Sequence, residues 1–392
     1  MSWFWAAQRL LAADRAAITL DADRCLRARD RFSTCEMCVQ ACPVQALHRD
    51  HPIALESEAC VRCGLCLPLC PVGAFRGDDH LGDLLSRAAS SRAETLEVAC
   101  PRHPALERGP AEADATVQTP GCLAALGPSA YLGLLAQGSR QVMVRLDACA
   151  ECSLGQAQPV ISQLIAVARE LLAARGEPDR LVEVRTDPGP GWVVRPRVRA
   201  GPAISRRDLF QTLLQEGKRV ASSVIALDEA PNPKTKSAPR ERKRLLKALS
   251  LLPAVQTGTL VLTPALPFAR FSVDEKCSAC GSCARVCPTG ALQFATEGNY
   301  YRLAFTTGDC TNCGICLDLC EPQALSRDAE LPLGELLEQP RTLQAGTLLT
   351  CARCGAKFAG GAQSTLCPVC DFREQHPFGT RTPPGLRRPG AG

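Results

Sequence analysis

Between residues 95 and 185, short aliphatic runs alternate with longer stretches of helical period. "TLEVAC", "ATVQTPGC" and "QVMVRLDAC" are each β-branched or aliphatic over a strand's length, and "DRLVEVRTD" predicts a further strand. Between and after them, "SAYLGLLAQG" and "PVISQLIAVARELLAARG" predict helices. In the second, Val160, Ile161, Leu164, Ile165, Ala168, Leu171 and Leu172 recur at helical spacing, with Arg169 and Glu170 opposite. Such alternation predicts a small parallel α/β sheet. The first three runs deliver Cys100, Cys122 and Cys149 at or just past their ends. With Cys152 these would converge at the carboxyl edge of the strands, where such folds place ligands.

The flanks read differently. "MSWFWAAQRLLAADRAAITLDADRC" predicts an amphipathic helix rather than an export signal, since it lacks a basic start and an unbroken apolar run. "SRRDLFQTLLQEGKRVASSVIAL" predicts another helix; its arginine pair lies mid-chain with no apolar core after it, so it is not read as an export motif. "APNPKTKSAPRERKRLLKALSLLP" predicts a solvated linker running into a basic helix. No aromatic platform accompanies the basic run, so nucleic acid is not an expected partner. "LSLLPAVQTGTLVLTPALPF" is the best candidate for a membrane span, and its three prolines, Gln256 and three threonines argue against it.

Composition changes the picture. The chain has 392 residues, enough for two to four domains, and 24 cysteines against 11 Phe and 3 Tyr. That is more thiol than packing needs. Disulfide-rich scaffolds are usually short and secreted, so metal-bound thiols in a reducing cytoplasm are the expectation. A net charge of +5 over this length says little about partners.

The cysteines are spaced in repeats. "CEMCVQACPVQAL" from Cys35 precedes "CVRCGLCLPLCPVGAF" from Cys60, and "CSACGSCARVCPTGAL" from Cys277 precedes "CTNCGICLDLCEPQAL" from Cys310. The run C-x2-C-x2-C-x3-C-P resembles that of bacterial ferredoxins holding two [4Fe–4S] clusters, in which three close thiolates bind one cluster and the fourth crosses to the other. Gly64, Gly281 and Gly314 suit the tight loops, and Pro43, Pro71 and Pro288 turn the chain away after the last cysteine. The resemblance implies four ligand sets: Cys25, Cys35, Cys38 and Cys70; Cys60, Cys63, Cys66 and Cys42; Cys277, Cys280, Cys283 and Cys320; and Cys310, Cys313, Cys316 and Cys287. Two departures stand out. Nine residues separate Cys25 from Cys35, so either a long basic loop covers the first cluster or Cys25 is not a ligand. The preceding strand-like "ITLDADRC" favours the loop. Glu321 intervenes between Cys320 and Pro322, which should leave ligation intact. Arg27, Arg29 and Arg31 either stabilise the reduced first cluster or form a solvated surface loop.

Cys100, Cys122 and the "CAEC" pair Cys149 and Cys152 resemble the delta subunit of methyl-viologen-reducing hydrogenases, which passes electrons to heterodisulfide reductase. The resemblance implies a fifth cluster, [2Fe–2S] being favoured; a dithiol/disulfide pair or inert cysteines are the alternatives. His103 is a possible substitute ligand, with a surface histidine the plainer reading. Near the end, Cys351, Cys354, Cys367 and Cys370 stand in two C-x2-C knuckles and resemble a rubredoxin-like zinc ribbon, implying one structural Zn2+, or mononuclear iron as the alternative. These assignments use every cysteine.

The expected fold is α+β and multidomain. Residues 1–80 would hold the amphipathic helix and first dicluster module, 81–190 the parallel α/β four-cysteine domain and 191–266 a helical, basic linker. Residues 267–330 would form the second module, 331–373 the zinc ribbon and 374–392 a disordered tail. No dinucleotide fingerprint or hydrolase pattern is found; "DPGPGW" lacks the third Gly. The expected role is a non-catalytic electron-transfer subunit between a donor and the catalytic subunit of a cytoplasmic hydrogenase, formate dehydrogenase, heterodisulfide-reductase-like or molybdenum enzyme. A redox or oxygen sensor, or a metalloenzyme assembly factor, is the alternative.

Overall fold

Cysteine–proline steps set the local fold of the N-terminal module. Cys42 and Cys70 end the short helices Met37–Ala41 and Cys66–Leu69 with extended backbone, ψ 112° and 116°, because a following proline disfavours the helical well. The chain then reverses through left-handed residues, Gln45 (φ 53°) and Gly73 (φ 60°). Strand β1 (Thr19–Leu20) thereby pairs antiparallel with the strand Phe75–Arg76, and Leu47–His48 pairs with Ala54–Leu55. Numbering these in chain order gives β2 (Leu47–His48), β3 (Ala54–Leu55) and β4 (Phe75–Arg76).

The computed structural model describes residues 17–31, 33–91, 93–186, 192–194, 225, 236–253, 258–360 and 364–376. The expected N-terminal helix up to residue 16, the helix of 205–227 apart from Ile225, and the tail from 377 lie outside the described residues. The chain divides into two units, 1–235 with 239–260, and 236–238 with 261–392.

In the first unit, helix α1 (Leu81–Ala89) leads into a parallel sheet. Its strands are β5 (Thr95–Ala99), β7 (Ala115–Gln118), β8 (Gln141–Arg145) and β9 (Leu181–Val184), ordered β7-β5-β8-β9. Val98, Val117, Val142 and Val144 are wholly buried, as parallel strands covered on both faces require. Helix α2 (Pro128–Ala136) joins β7 to β8, and α3 (Gln158–Ala174) joins β8 to β9. Strand β6 (Arg108–Pro110) pairs antiparallel with β10 (Trp192–Val194), carrying the domain past the expected boundary at 190.

The basic helix expected at the end of the linker is present, but it is packed rather than solvated. Residues 240–251 form helix α4 (Arg240–Leu251), packed on α2 with Arg242, Arg244, Leu245, Ala248 and Leu249 buried. Asp79 holds two of the helix's arginines: its Oδ2 accepts from Arg240 Nη2 at 3.0 Å and from buried Arg244 Nη1 at 2.5 Å. Glu241, also on α4, closes the open N-terminus of α2. Its Oε1 accepts from the Ser129 N–H at 2.8 Å and its Oε2 from Ser129 Oγ at 2.6 Å. Gly127 sits so close to this carboxylate that a Cβ there would overlap it.

In the second unit, Phe271–Val273 pairs antiparallel with Leu325–Arg327, repeating the β1–β4 pairing. The hairpin Leu292–Glu297/Tyr300–Phe305 is longer than its N-terminal counterpart and gains a third strand, Arg341–Thr347. That strand falls within the expected ribbon of 331–373 yet completes the sheet of the preceding module. The Phe271 and Phe305 rings meet edge to face at 5.2 Å in the core. Beyond it, Leu349–Thr350 pairs with Lys357–Phe358, and the helix Pro368–Gln375 runs into the expected tail.

Burial raises the Glu241 pKa from its ordinary 4.5 to about 7, against the hydrogen bonds of Ser129 and the charge of Arg244, and with the repulsion of Asp79. A carboxyl whose folded pKa exceeds its unfolded one contributes stability fully below about pH 4.5, and that contribution is lost as pH rises through about 7. The wild-type chain should therefore lose about 3 kcal/mol relative to Glu241→Gln between pH 4.5 and 8. Denaturant titrations of both proteins across that range check it.

Candidate metal centres

Cys25, Cys35, Cys38 and Cys70 line one cavity together with Leu26, Val72 and Phe75. Cys42, Cys60, Cys63 and Cys66 line a second, where Cys38 also takes part of the wall. In the second unit, Cys277, Cys280, Cys283 and Cys320 line a third beneath Phe294 and Tyr301. The three are of similar size. Cys287, Cys310 and Cys316 are buried in one core cluster, and the charges of Cys310, Cys313 and Cys287 act on Cys316. The nine-residue gap does not carry Cys25 away: it shares its cavity with Cys35, Cys38 and Cys70.

The loops repeat in backbone as well as in sequence. Arg62, Ala279 and Asn312, each just before the second cysteine of its run, have φ of 56°, 54° and 54°. Gly64, Gly281 and Gly314, one residue past that cysteine, have φ of 80°, 67° and 82°. Left-handed backbone at a non-glycine residue is costly and persists where its surroundings impose it. The sequence pointed to the glycines and missed Arg62 and Ala279, whose side chains give no hint; Asn312 alone is of a type that tolerates this conformation. Among the described residues, the Cys25–Cys38 loop has no such left-handed pair.

That loop is instead pinned by arginine. Arg27 is buried; its Nε donates to the Asp50 carbonyl at 3.0 Å, its Nη2 lies 2.8 Å from His51 Nε2, and its Nη1 lies 3.6 Å from Glu36. Arg29 Nε donates to the Asp23 carbonyl at 3.1 Å. Arg24, which the sequence reading passed over, is 2% exposed and donates from Nε to the Val72 carbonyl at 2.9 Å, beside Cys70. Its position directly before Cys25 was the available signal.

In the middle domain, Cys100 follows β5 directly, while Cys122 and Cys149 lie four residues past β7 and β8. Burial pushes the Cys149 thiol up to about 12, and the charges of Cys122, Cys100 and Cys152 push the same way, so the four share one neighbourhood. Beneath them lies a buried ionic cluster. Arg145, wholly buried, donates from Nη1 to Glu97 Oε1 at 2.5 Å and from Nε and Nη2 to Asp147 at 2.7 and 2.9 Å, and its guanidinium lies 3.9 Å from the Trp192 ring centre. His103 is buried, contrary to the surface reading. Its Nδ1 accepts from the Ala105 N–H at 3.1 Å, and its Nε2 lies 3.0 Å from Asp147 Oδ2 and 2.8 Å from Arg145 Nη2. With both ring nitrogens engaged, His103 braces the Cys100 loop against the Cys149 loop instead of standing free as a ligand. Burial opposes the charge on Asp147, but Arg145 and His103 hold its carboxyl far below the usual range. Glu97 and Arg145 were visible as lone charges inside aliphatic strands.

Cys351, Cys354, Cys367 and Cys370 close tightest. Their Sγ atoms all lie within 4.8 Å of one another, with Cys354 and Cys367 at 3.7 Å. Four sulfurs about 2.3 Å from one zinc ion would stand about 3.8 Å apart. Among the described residues this is the set closed to single-ion distances. The Cys367 N–H, donating to Cys351 Sγ at 3.3 Å, holds that thiol below its ordinary pKa.

Comparison with known families matches the 4Fe-4S dicluster domain to residues 276–324 and the 4Fe-4S binding domain to residues 53–76. The chain carries two ferredoxin-type 4Fe–4S domains. The first match begins after Cys25, Cys35 and Cys38, where the loop departs from the repeat. No curated protein and no solved structure matches the chain. The ferredoxin-type domains support an iron–sulfur electron-transfer role. Among the described residues, no helix is long and apolar enough to cross a membrane.

Removing the guanidinium that neutralises Glu97 and Asp147 should cost more than a surface change. Arg145→Met is expected to destabilise the first unit by about 3–5 kcal/mol, as breaking buried ion pairs does. Equilibrium unfolding followed by circular dichroism measures it; a loss under about 1 kcal/mol would contradict the assignment.

Proposed function

We propose that this chain is a multi-cluster electron-relay subunit, working between a donor and the catalytic subunit of a redox complex. The observation that carries it is the convergence of three of the four ferredoxin-type cysteine sets on cavities of similar size, with Cys287, Cys310 and Cys316 of the fourth in one buried cluster. In this reading four [4Fe–4S] clusters are held by Cys25/Cys35/Cys38/Cys70, Cys42/Cys60/Cys63/Cys66, Cys277/Cys280/Cys283/Cys320 and Cys287/Cys310/Cys313/Cys316. A further cluster, [2Fe–2S] by preference, is held by Cys100, Cys122, Cys149 and Cys152, and zinc by Cys351, Cys354, Cys367 and Cys370. The donor chemistry fits. Burial first, and neighbouring thiols second, push the Cys38 thiol up to about 12. Cys122 and Cys283 rise to about 11 by burial and neighbouring thiols together. Such sets ionise together only beside a cation.

Iron–sulfur clusters supply one-electron transfer when bound. The chain's residues set its terms. The Ala74 N–H donates to Cys70 Sγ at 3.3 Å and the Asn312 N–H to Cys310 Sγ at 3.5 Å, which favours negative charge on those sulfurs. Arg24 beside Cys70 and Arg27 beside Cys35 act in the same direction at the first site. Arg285 does so at Cys280, where burial raises the thiol but Ser282, Ser278 and Arg285 together hold it below its ordinary value. A sensor or assembly role would use an exposed basic helix and the ribbon. The arginines Arg242 and Arg244 of that helix are buried, so the relay is the better-supported reading.

The test is anaerobic purification with iron, sulfide and zinc counts. About 18 irons and about one zinc per chain are expected. Cys149→Ser should remove about two irons and leave zinc, whereas Cys354→Ser should remove zinc alone. Saturation near 16 irons, unchanged by Cys149→Ser, would remove the middle cluster from the account.

A further inference from the structure

Two of the cysteine loops in the first unit are seated on each other. Gly64 lies between Cys63 and Cys66, and a Cβ added to it would fall 2.6 Å from Ala125 Cβ and 3.1 Å from Ala125 Cα. Ala125 closes the short 3-10 turn Leu123–Ala125 that begins directly after Cys122. The loop presenting Cys63 thus rests on the turn presenting Cys122, at a distance only glycine permits. The equivalent glycines have other neighbours: Gly281 faces the Phe294 ring, and Gly314 faces the Arg327 guanidinium. Charge reports the same proximity, since Cys63 is among the thiols that act on Cys122. On its other side, the second cavity takes Cys38 of the first set into its wall, and Cys38 and Cys70 both act on Cys66. The second set therefore adjoins both the first and the middle set.

We propose that the second cysteine set, Cys42/Cys60/Cys63/Cys66, exchanges electrons directly with the middle set, Cys100/Cys122/Cys149/Cys152, across the Gly64–Ala125 contact. The first unit is then a three-site chain of fixed order: first set, second set, middle set. The proposal rests on the assignment of iron–sulfur clusters to these sets. Each step moves one electron: the second centre is oxidised by one, the middle centre is reduced by one, and no bond or proton changes place. A low-potential one-electron donor at the first or second set supplies the electron.

Ala125 holds no metal, so its substitution separates contact from ligation. The full chain, purified anaerobically and reduced with dithionite, is followed by EPR together with iron counts. In the wild-type protein the reduced middle centre should show spin–spin splitting from the second. In Cys149→Ser the middle iron should be lost, together with that contribution to the second centre's line shape. Ala125→Leu should keep its iron and show a reduced splitting, because the larger side chain forces the two loops apart. If Cys149→Ser loses no iron, the cluster assignment itself fails and the relay with it. If the iron is lost but the second centre's line shape is unchanged, the assignment stands and the relay is overturned. A full splitting retained in Ala125→Leu would likewise overturn the contact.

Discussion

Four thiols that share a cavity cannot all ionise unless a cation shares it with them, and most of this chain's architecture follows from that constraint. Burial and mutual repulsion both push Cys38, Cys122, Cys149 and Cys283 toward the protonated form. The fold holds these thiols together although their charges oppose it. In the ferredoxin-type runs it does so with backbone: left-handed residues on either side of the second cysteine in the runs from Cys60, Cys277 and Cys310, and a proline after Cys42, Cys70 and Cys287. How closely the sulfurs approach separates two kinds of site. The set Cys351, Cys354, Cys367 and Cys370 closes to the distances of a single ion, while among the described residues the ferredoxin-type sets do not.

The middle domain meets the same constraint by a different route. Its cysteines come from three strand ends rather than one loop, so their relative placement depends on the sheet and on what fastens its edge. Arg145 is that fastening. It draws Glu97 on β5 and Asp147 past β8 into one buried cluster, with His103 joining the Cys100 loop to it. Opposite charges inside the sheet are costly to bury, and they are retained where they fix one arrangement of the loops above them. Glu241 fixes where helix α2 begins, its carboxyl accepting from the Ser129 N–H and hydroxyl.

Much of this was legible in the residues. The four-cysteine runs declare themselves by spacing, and the strand-delivered cysteines of the middle domain by their place at the ends of aliphatic runs. What stayed hidden depends on tertiary context. The left-handed conformation of Arg62 and Ala279 leaves no mark on residue type. Helix α4 reads as a solvated basic segment because composition outweighs pattern, yet Arg242, Leu245, Ala248, Leu249 and Leu252 follow a helical face. Arg244 turns inward onto Asp79, more than 160 positions earlier. The strand Arg341–Thr347 looked like the start of the ribbon because a sequence does not show which sheet an edge strand will join.

The central claim is that the cysteine sets other than the ribbon hold polynuclear iron–sulfur centres. Mössbauer spectroscopy of the whole chain, grown on 57Fe and purified anaerobically, tests it most directly. The account predicts iron in cubane-type and binuclear sites in a ratio of about eight to one, with no mononuclear four-thiolate component. A spectrum dominated by mononuclear iron, or iron confined to residues 276–324 when that segment's cysteines are compared with the rest by substitution, would contradict it.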